Sequence, residues 1–218
     1  MAASKKDKPR PPGAGKKRRR QSKKADPAAR IIDAALALSV SQGWRRLTLA
    51  AIAEEAGLEV ADVRAQFSCK AGILQGLIRR IDEQALMDGA DDEGSSHRDR
   101  LFDLLMRRFD ALTPVKPAVT AIARDAWCDP AAVLVTGPSL WCSMSRMLDA
   151  AGINTRSLLG PARIKGLGLI YANAFRVWLG DDSEDMAKTM AALDKGLRCA
   201  ERLQQKFRDE RETGAQAA

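Results

Sequence analysis

Apolar residues return at helical spacing along most of the chain, and no stretch alternates as a β-strand would. Between Ile31 and Val40, residues Ile31, Ala34, Ala35 and Leu38 fall on one face. Asp26 stands where it can cap that helix, and Pro27 suits its first position. Gly43 ends it, and Trp44 follows as a plug for the core. Thr48 can cap a short second helix with Leu49, Ile52, Ala53 and Ala56 inward. Gly57 supplies the positive φ of a tight turn. A third helix is predicted over about 59–67, with Val60, Val63 and Phe67 inward. A fourth begins near Lys70 and runs through Ile73, Leu74, Leu77, Ile78 and Ile81 to about Met87.

Residues 88–96, DGADDEGSS, read as an acidic, Gly/Ser-rich loop and the best internal boundary. Leu101, Leu104, Leu105, Met106 and Phe109 then predict a helix ending before Thr113-Pro114. Pro117 is expected to open another, carrying Val119, Ile122, Ala123 and Trp127. Pro138 is expected to open one carrying Leu140, Trp141, Met144, Met147 and Leu148. Residues 161–179 are apolar almost all round, the pattern of a helix buried on several sides. Ser183 can cap a final amphipathic helix through Met186, Met190, Leu193, Leu197 and Leu203, with Glu184 and Asp185 near its positive end. The chain is therefore predicted to be all-α, with about nine helices.

Length and composition narrow the possibilities. The 218 residues suit one domain, or two small ones sharing a core. No run of about 18 apolar residues predicts a membrane span. Basic residues at the N-terminus have no apolar segment behind them, so a secretory signal is not expected. Cys69, Cys128, Cys142 and Cys199 form no CxxC pair and read as reduced, mostly buried thiols of a cytoplasmic protein. With His97 the sole histidine, neither a histidine-based metal site nor a Ser-His or Cys-His nucleophile is expected, and the chain reads as a non-enzyme with no cofactor.

The net charge of +8 is unevenly placed. Residues 1–30 hold 12 Lys+Arg against 2 Asp+Glu, while the rest of the chain is slightly acidic, at −2. Residues 1–25 cannot bury enough apolar surface to order themselves, and the run Lys16-Lys17-Arg18-Arg19-Arg20 repels itself. Three uses suit such an arm: contact with DNA phosphates or a minor groove, contact with an anionic membrane surface, or a solubilising leader.

Residues 47 to 67, LTLAAIAEEAGLEVADVRAQF, carry the clearest functional signal. A short helix, a glycine turn and a second short helix make a helix-turn-helix, which lays its second helix in the DNA major groove. The charges pull the other way. Glu59 and Asp62 open the helix that would face DNA, and a carboxylate there repels phosphate. It is tolerated when it accepts from a cytosine amino group or pairs with a cation such as Arg64 or Arg45. Residues 31–80 hold six Lys+Arg and five Asp+Glu, so a DNA contact would lean on the basic arm.

The order and spacing of these residues resemble the TetR family of bacterial repressors over about residues 28–75. The likeness rests on the Ile/Ala-rich first helix, Gly43 beside an aromatic, Thr48, the run IAEEAGL, Phe67 at the end of the third helix and Lys70 soon after. It implies a DNA-binding domain at 26–75 and a helical ligand-binding and dimerisation domain at 76–210, set between the basic tail at 1–25 and a C-terminus expected to be disordered at 211–218. It also implies a homodimer formed by the last two helices, about 161–179 and 184–207, and an operator in double-stranded DNA. Thr48 and Lys70 would then touch phosphates, and Arg64 and Gln66 would reach bases or backbone. The chain departs from the family at Glu59, Asp62, Arg64 and Gln66, where small polar, Thr, Tyr and His or Tyr residues are usual.

The same likeness implies an apolar small-molecule effector bound in the helical domain, whose binding releases the operator. Trp127, Trp141, Met144, Met147, Tyr171, Phe175 and Trp178 are the expected lining of an apolar pocket, with plain core as the other reading. The small residues Gly160, Gly166, Gly168, Ala172 and Ala174 suit either a dimer seam or close packing within the chain. The run GLIYANAFRVWLGDDSEDMAKTMAALDKGL also resembles the TetR-like lipid-binding proteins of ubiquinone biosynthesis. That likeness implies an alternative, an isoprenoid-binding accessory protein without specific DNA binding.

Overall fold

The computed structural model describes residues 26–87, 94–126 and 130–216, with side chains described outside 126, 130–135 and 207–216. The basic arm at 1–25, Trp127, Cys128 and residues 88–93 of the 88–96 segment lie outside the described residues. Every regular element among the described residues is helical and none is a strand, and the expectation of about nine helices is close. In order come α1 (Pro27–Gln42), α2 (Leu49–Ala56), α3 (Val60–Gln66), α4 (Lys70–Met87), α5 (His97–Leu112), α6 (Lys116–Ala126), α7 (Pro130–Ala150), α8 (Gly160–Leu179) and α9 (Ala187–Gln216). Single 3-10 turns at Trp44–Arg46 and Thr113–Val115 join α1 to α2 and α5 to α6.

The first three helices form a head around one apolar seam. Asp26 accepts the N–H of Ala28, and Pro27 takes the first turn of α1, as the sequence predicts. Ile31, Ala35 and Leu38 of α1 meet Ile52 and Ala53 of α2, Val63 of α3 and the buried Trp44. α4 leaves the head and enters the body without a break, so the expected boundary at 75 and 76 lies inside one helix. Ile73, Leu77 and Ile81 carry the head's core into that of α5, α7, α8 and α9, so head and body share a single core.

Within the body, three predictions need correction. Pro138 does not open a helix: α7 starts at Pro130 and carries Pro138 in its interior. An interior proline costs a helix one N–H bond, and the apolar spacing around Pro138 carries no sign that the helix runs through it. The final helix begins at Ala187, later than Ser183 implies, and it continues to Gln216. Cys69, Cys142 and Cys199 are exposed, where buried thiols were expected.

The last two helices pack along each other. Gly196 of α9 is required there, because a Cβ would stand 2.6 Å from Cγ2 of Ile170 on α8. α8 is not buried on every side within one chain. Ile164, Leu167, Tyr171, Ala174 and Trp178 face the core, while Leu169 is 67% exposed and Ala172 is exposed beside it. Among the described residues, a Cβ on Gly166 or Gly168 would meet nothing within 4 Å. Those two glycines therefore serve no close approach inside the chain.

Candidate nucleic-acid interface

The turn between α2 and α3 is built by short-range hydrogen bonds. Thr48 adopts an extended conformation, and its hydroxyl accepts the N–H of Ala51 at 3.1 Å, capping α2. Gly57 sits in the left-handed region at φ 61°, and the N–H of Leu58 returns to the carbonyl of Ala53 at 2.9 Å. This is the bonding pattern of a helix closed by a glycine. Arg30 of α1 completes the closure. Its guanidinium donates to the carbonyls of Ala56 and Gly57, the latter at 3.2 Å, satisfying acceptors that the end of α2 leaves open. No sequence rule flags Arg30, because its partners lie 26 and 27 residues away.

α3 presents almost its whole circumference. Val63 and Phe67 are buried and Val60 is half-buried, while Glu59, Ala61, Asp62, Arg64, Ala65 and Gln66 are exposed. The outer face thus carries two methyl-sized residues, Ala61 and Ala65, between one cation and two carboxylates. Small side chains there let the helix backbone come close to a partner. Among the described residues, no cation lies within 4.0 Å of Glu59 or Asp62, so neither Arg64 nor Arg45 neutralises them in this state. Asp62 lies in the first turn of α3, where a carboxylate is favoured by the helix dipole. Glu59 occupies the cap position but makes no capping bond.

Of the four predicted contact residues, Thr48, Arg64 and Gln66 are exposed on the head. Lys70 is half-buried and engaged: its ammonium donates to the carbonyls of Trp44 and Arg45 at 3.1 and 3.2 Å. It also lies 5.6 Å from the centre of the Trp44 ring. Lys70 therefore braces the turn ahead of α2 and keeps one N–H for another acceptor. Asp125 of α6 braces the same turn from the body, accepting the N–H of Arg45 at 2.9 Å.

Of the predicted pocket residues, Trp127 lies outside the described residues. Tyr171, Phe175 and Trp178 form a stack with Phe109 of α5, their centroids 5.3 to 6.1 Å apart. Met144 and Met147 are buried, and Trp141 is 43% exposed with no ring contact to that stack among the described residues. Burial raises the Tyr171 phenol above its usual range, with nearby Arg108 opposing and Asp82 adding to that shift. Arg108 lies 4.5 Å over the Tyr171 ring and binds Asp82 of α4 through Nε at 2.9 Å. Ser143 of α7 donates to the same carboxylate oxygen at 2.8 Å. This buried polar cluster, which the sequence did not reveal, ties α4, α5, α7 and α8 together.

Comparison with known proteins agrees with this geometry. Residues 31–77 match the model of the bacterial regulatory proteins, tetR family, which covers α1 to the middle of α4. A solved TetR transcriptional regulator from Nitrosomonas europaea superposes with a TM-score of 0.62 at 20% identity, over 79% of this chain and 96% of that one. The fold is that of the TetR-family transcriptional regulators. A second TetR regulator, from Rhodococcus sp. RHA1, gives a TM-score of 0.57 at 21% identity, over 78% of this chain and 95% of that one. No curated protein matches the chain.

The resemblance to the lipid-binding proteins of ubiquinone biosynthesis is not borne out. The run that suggested it has a local use in this TetR fold. Asp181 accepts from the hydroxyl of Ser183 at 2.5 Å and from the N–H and hydroxyl of Thr189 at 2.9 and 2.7 Å. Ser183 and Asp185 in turn accept the N–H of Ala187. The acidic step is thus the capping frame of α9, a role that any helix start can impose. Among the described residues no helix is long and apolar enough to cross a membrane, and no group of side chains could hold a metal ion.

Proposed function

We propose that the chain is a dimeric, DNA-binding transcriptional regulator, acting in the cytoplasm as a repressor that a small molecule releases. The observation that carries this reading is the exposed face of α3, held by a Thr48 cap and a Gly57 turn inside the segment that matches the tetR family. Arg64 and Gln66 would enter the groove, with Ala61 and Ala65 allowing close approach. Thr48 and the remaining N–H of Lys70 would hold phosphate, and Lys16 to Arg20 would add the electrostatic attraction that the head lacks. Glu59 and Asp62 would lower affinity and favour a cytosine at any base they face.

The second copy would dock on α8 and α9. Leu169 and Ala172, with the unoccupied space over Gly166 and Gly168, support that surface. Phe109, Tyr171, Phe175 and Trp178 stack on one another, so an apolar effector held among them, Trp127, Trp141 and the other expected lining residues would have to part packed rings. A gel-shift salt series on the DNA upstream of the protein's own gene tests the reading. Sequence-selective binding with a steep salt slope, reduced on deleting residues 1–25, supports it. Binding without sequence preference that vanishes with those residues overturns it.

A further inference from the structure

A cleft of about 460 Å³ opens between the α3–α4 junction and α7. Arg79 of α4 and Arg146 of α7 both line it, as do Gln66 and Phe67 at the end of α3. Asp82 forms part of its wall and is 1% exposed. One oxygen of Asp82 is satisfied by Arg108 and Ser143. The other, Oδ2, is buried and has no hydrogen-bond partner among the described residues, with Nη1 of Arg146 3.7 Å away.

Charge and geometry together define an occupant. Arg108 already neutralises Asp82, so Arg79 and Arg146 leave the cleft positive and suited to an anion. Guanidinium groups on two helices can hold a carboxylate in paired hydrogen bonds. A buried carboxylate oxygen without a donor is unfavourable, and a ligand hydroxyl or ammonium would satisfy it. The volume lies at the small end for ligand sites. Phe67, Ile78 and Pro138 offer a short apolar wall.

We propose that this cleft binds a small organic acid, its carboxylate between Arg79 and Arg146 and its hydroxyl or ammonium donating to Oδ2 of Asp82. Occupancy is felt at the DNA-facing helix, because Phe67 is both cleft wall and the buried residue that caps the end of α3. A Cβ on Gly76 would stand 2.9 Å from Cε1 of Phe67, so the ring rests directly on the α4 backbone. An acid in the cleft thus biases how α3 sits on α4. This regulatory half rests on the DNA-binding reading above; the binding half does not.

The test uses the full chain without DNA, titrated calorimetrically with L-malate, with succinate (the same skeleton lacking the hydroxyl) and with inorganic phosphate. Malate is expected to bind, about tenfold more tightly than succinate, as one hydrogen bond to a charged acceptor would give. Arg79→Ser with Arg146→Ser, two exposed positions, is expected to weaken malate at least about tenfold while leaving the circular dichroism spectrum unchanged. Equal binding of malate and succinate, phosphate binding as tight as malate, full binding by the double variant, or no heat from malate at about 10 mM would each overturn the site. Malate that binds but leaves DNA affinity unchanged overturns the regulatory half alone. A chain that binds malate and no DNA keeps the site and removes the function proposed above.

Discussion

The carboxylate of Asp125, near the end of α6, accepts the backbone N–H of Arg45 at 2.9 Å. Lys70 of α4 holds the carbonyls of Trp44 and Arg45 on the other side of the same turn. The turn that launches α2 is thus pinned by two helices that reach into the body. Asp125→Ala should speed amide exchange at residues 44–48 by about fivefold, as loss of one net hydrogen bond implies, while Tm changes by only a few degrees. Hydrogen exchange read by mass spectrometry checks this, and unchanged protection would remove Asp125 from the link between head and body.

Asp82 and Arg108 are 1% and 3% exposed and 2.9 Å apart. Arg108→Met alone strands a buried carboxylate and should destabilise by about 3–5 kcal/mol. Adding Asp82→Leu should recover most of that loss, because an apolar pair of similar volume needs no desolvated charge. Urea denaturation of the two variants measures it. If the double variant is as weak as the single, packing and not the stranded charge decides the stability of this cluster.

Asp181 gives a pH dependence with a definite sign. Hydrogen bonds from Ser183, and then from Thr189, hold its carboxyl well below its ordinary value of 3.8. A carboxylate lowered in the folded state adds stability above its unfolded value, and that stability is lost as pH falls through the lowered folded value. Asp181→Asn should therefore melt at a lower temperature than wild type at pH 7. The gap should narrow as pH drops below 3.8. A gap that stays constant down to pH 2 would mean that the side chain acts by shape and not by charge.

Much of this architecture was legible in residue spacing, because it rests on contacts within one or two turns. Asp26, Pro27, Thr48, Gly57 and the inward set Val60, Val63 and Phe67 act locally, and the structure places each as the pattern required. What escaped was long-range or ambiguous. Arg30, Asp125, Asp82 and Arg108 act on partners 26 to 80 residues away, and spacing carries no trace of such pairs. Pro138 misled because proline marks helix starts more often than interiors. The aromatic residues of α8 suit either a pocket or a plain core, because composition cannot distinguish rings that line a space from rings that fill it.

The glycines of α8 and α9 divide the two interfaces. Gly196→Val would force a side chain against Ile170 and should destabilise the folded chain, seen as a lower Tm even at low concentration. Gly168→Trp meets open space within the chain, so its monomer should fold, with retained helical circular dichroism. If the α8 face is the dimer seam, sedimentation of Gly168→Trp should show a monomer where wild type shows a dimer. A dimer that persists would move the seam off this face.

The claim that α3 meets DNA is tested most directly by fluorescence anisotropy on one DNA fragment, the region upstream of the gene, with three proteins. Arg64→Ala with Gln66→Ala should weaken binding about tenfold to a hundredfold, as loss of one or two base or phosphate contacts implies. Glu59→Ser with Asp62→Thr should strengthen it by removing two carboxylates from the same face. The account predicts these opposite shifts, with circular dichroism unchanged in both variants. Identical affinities for all three proteins would contradict it, and would mean that α3 does not face DNA.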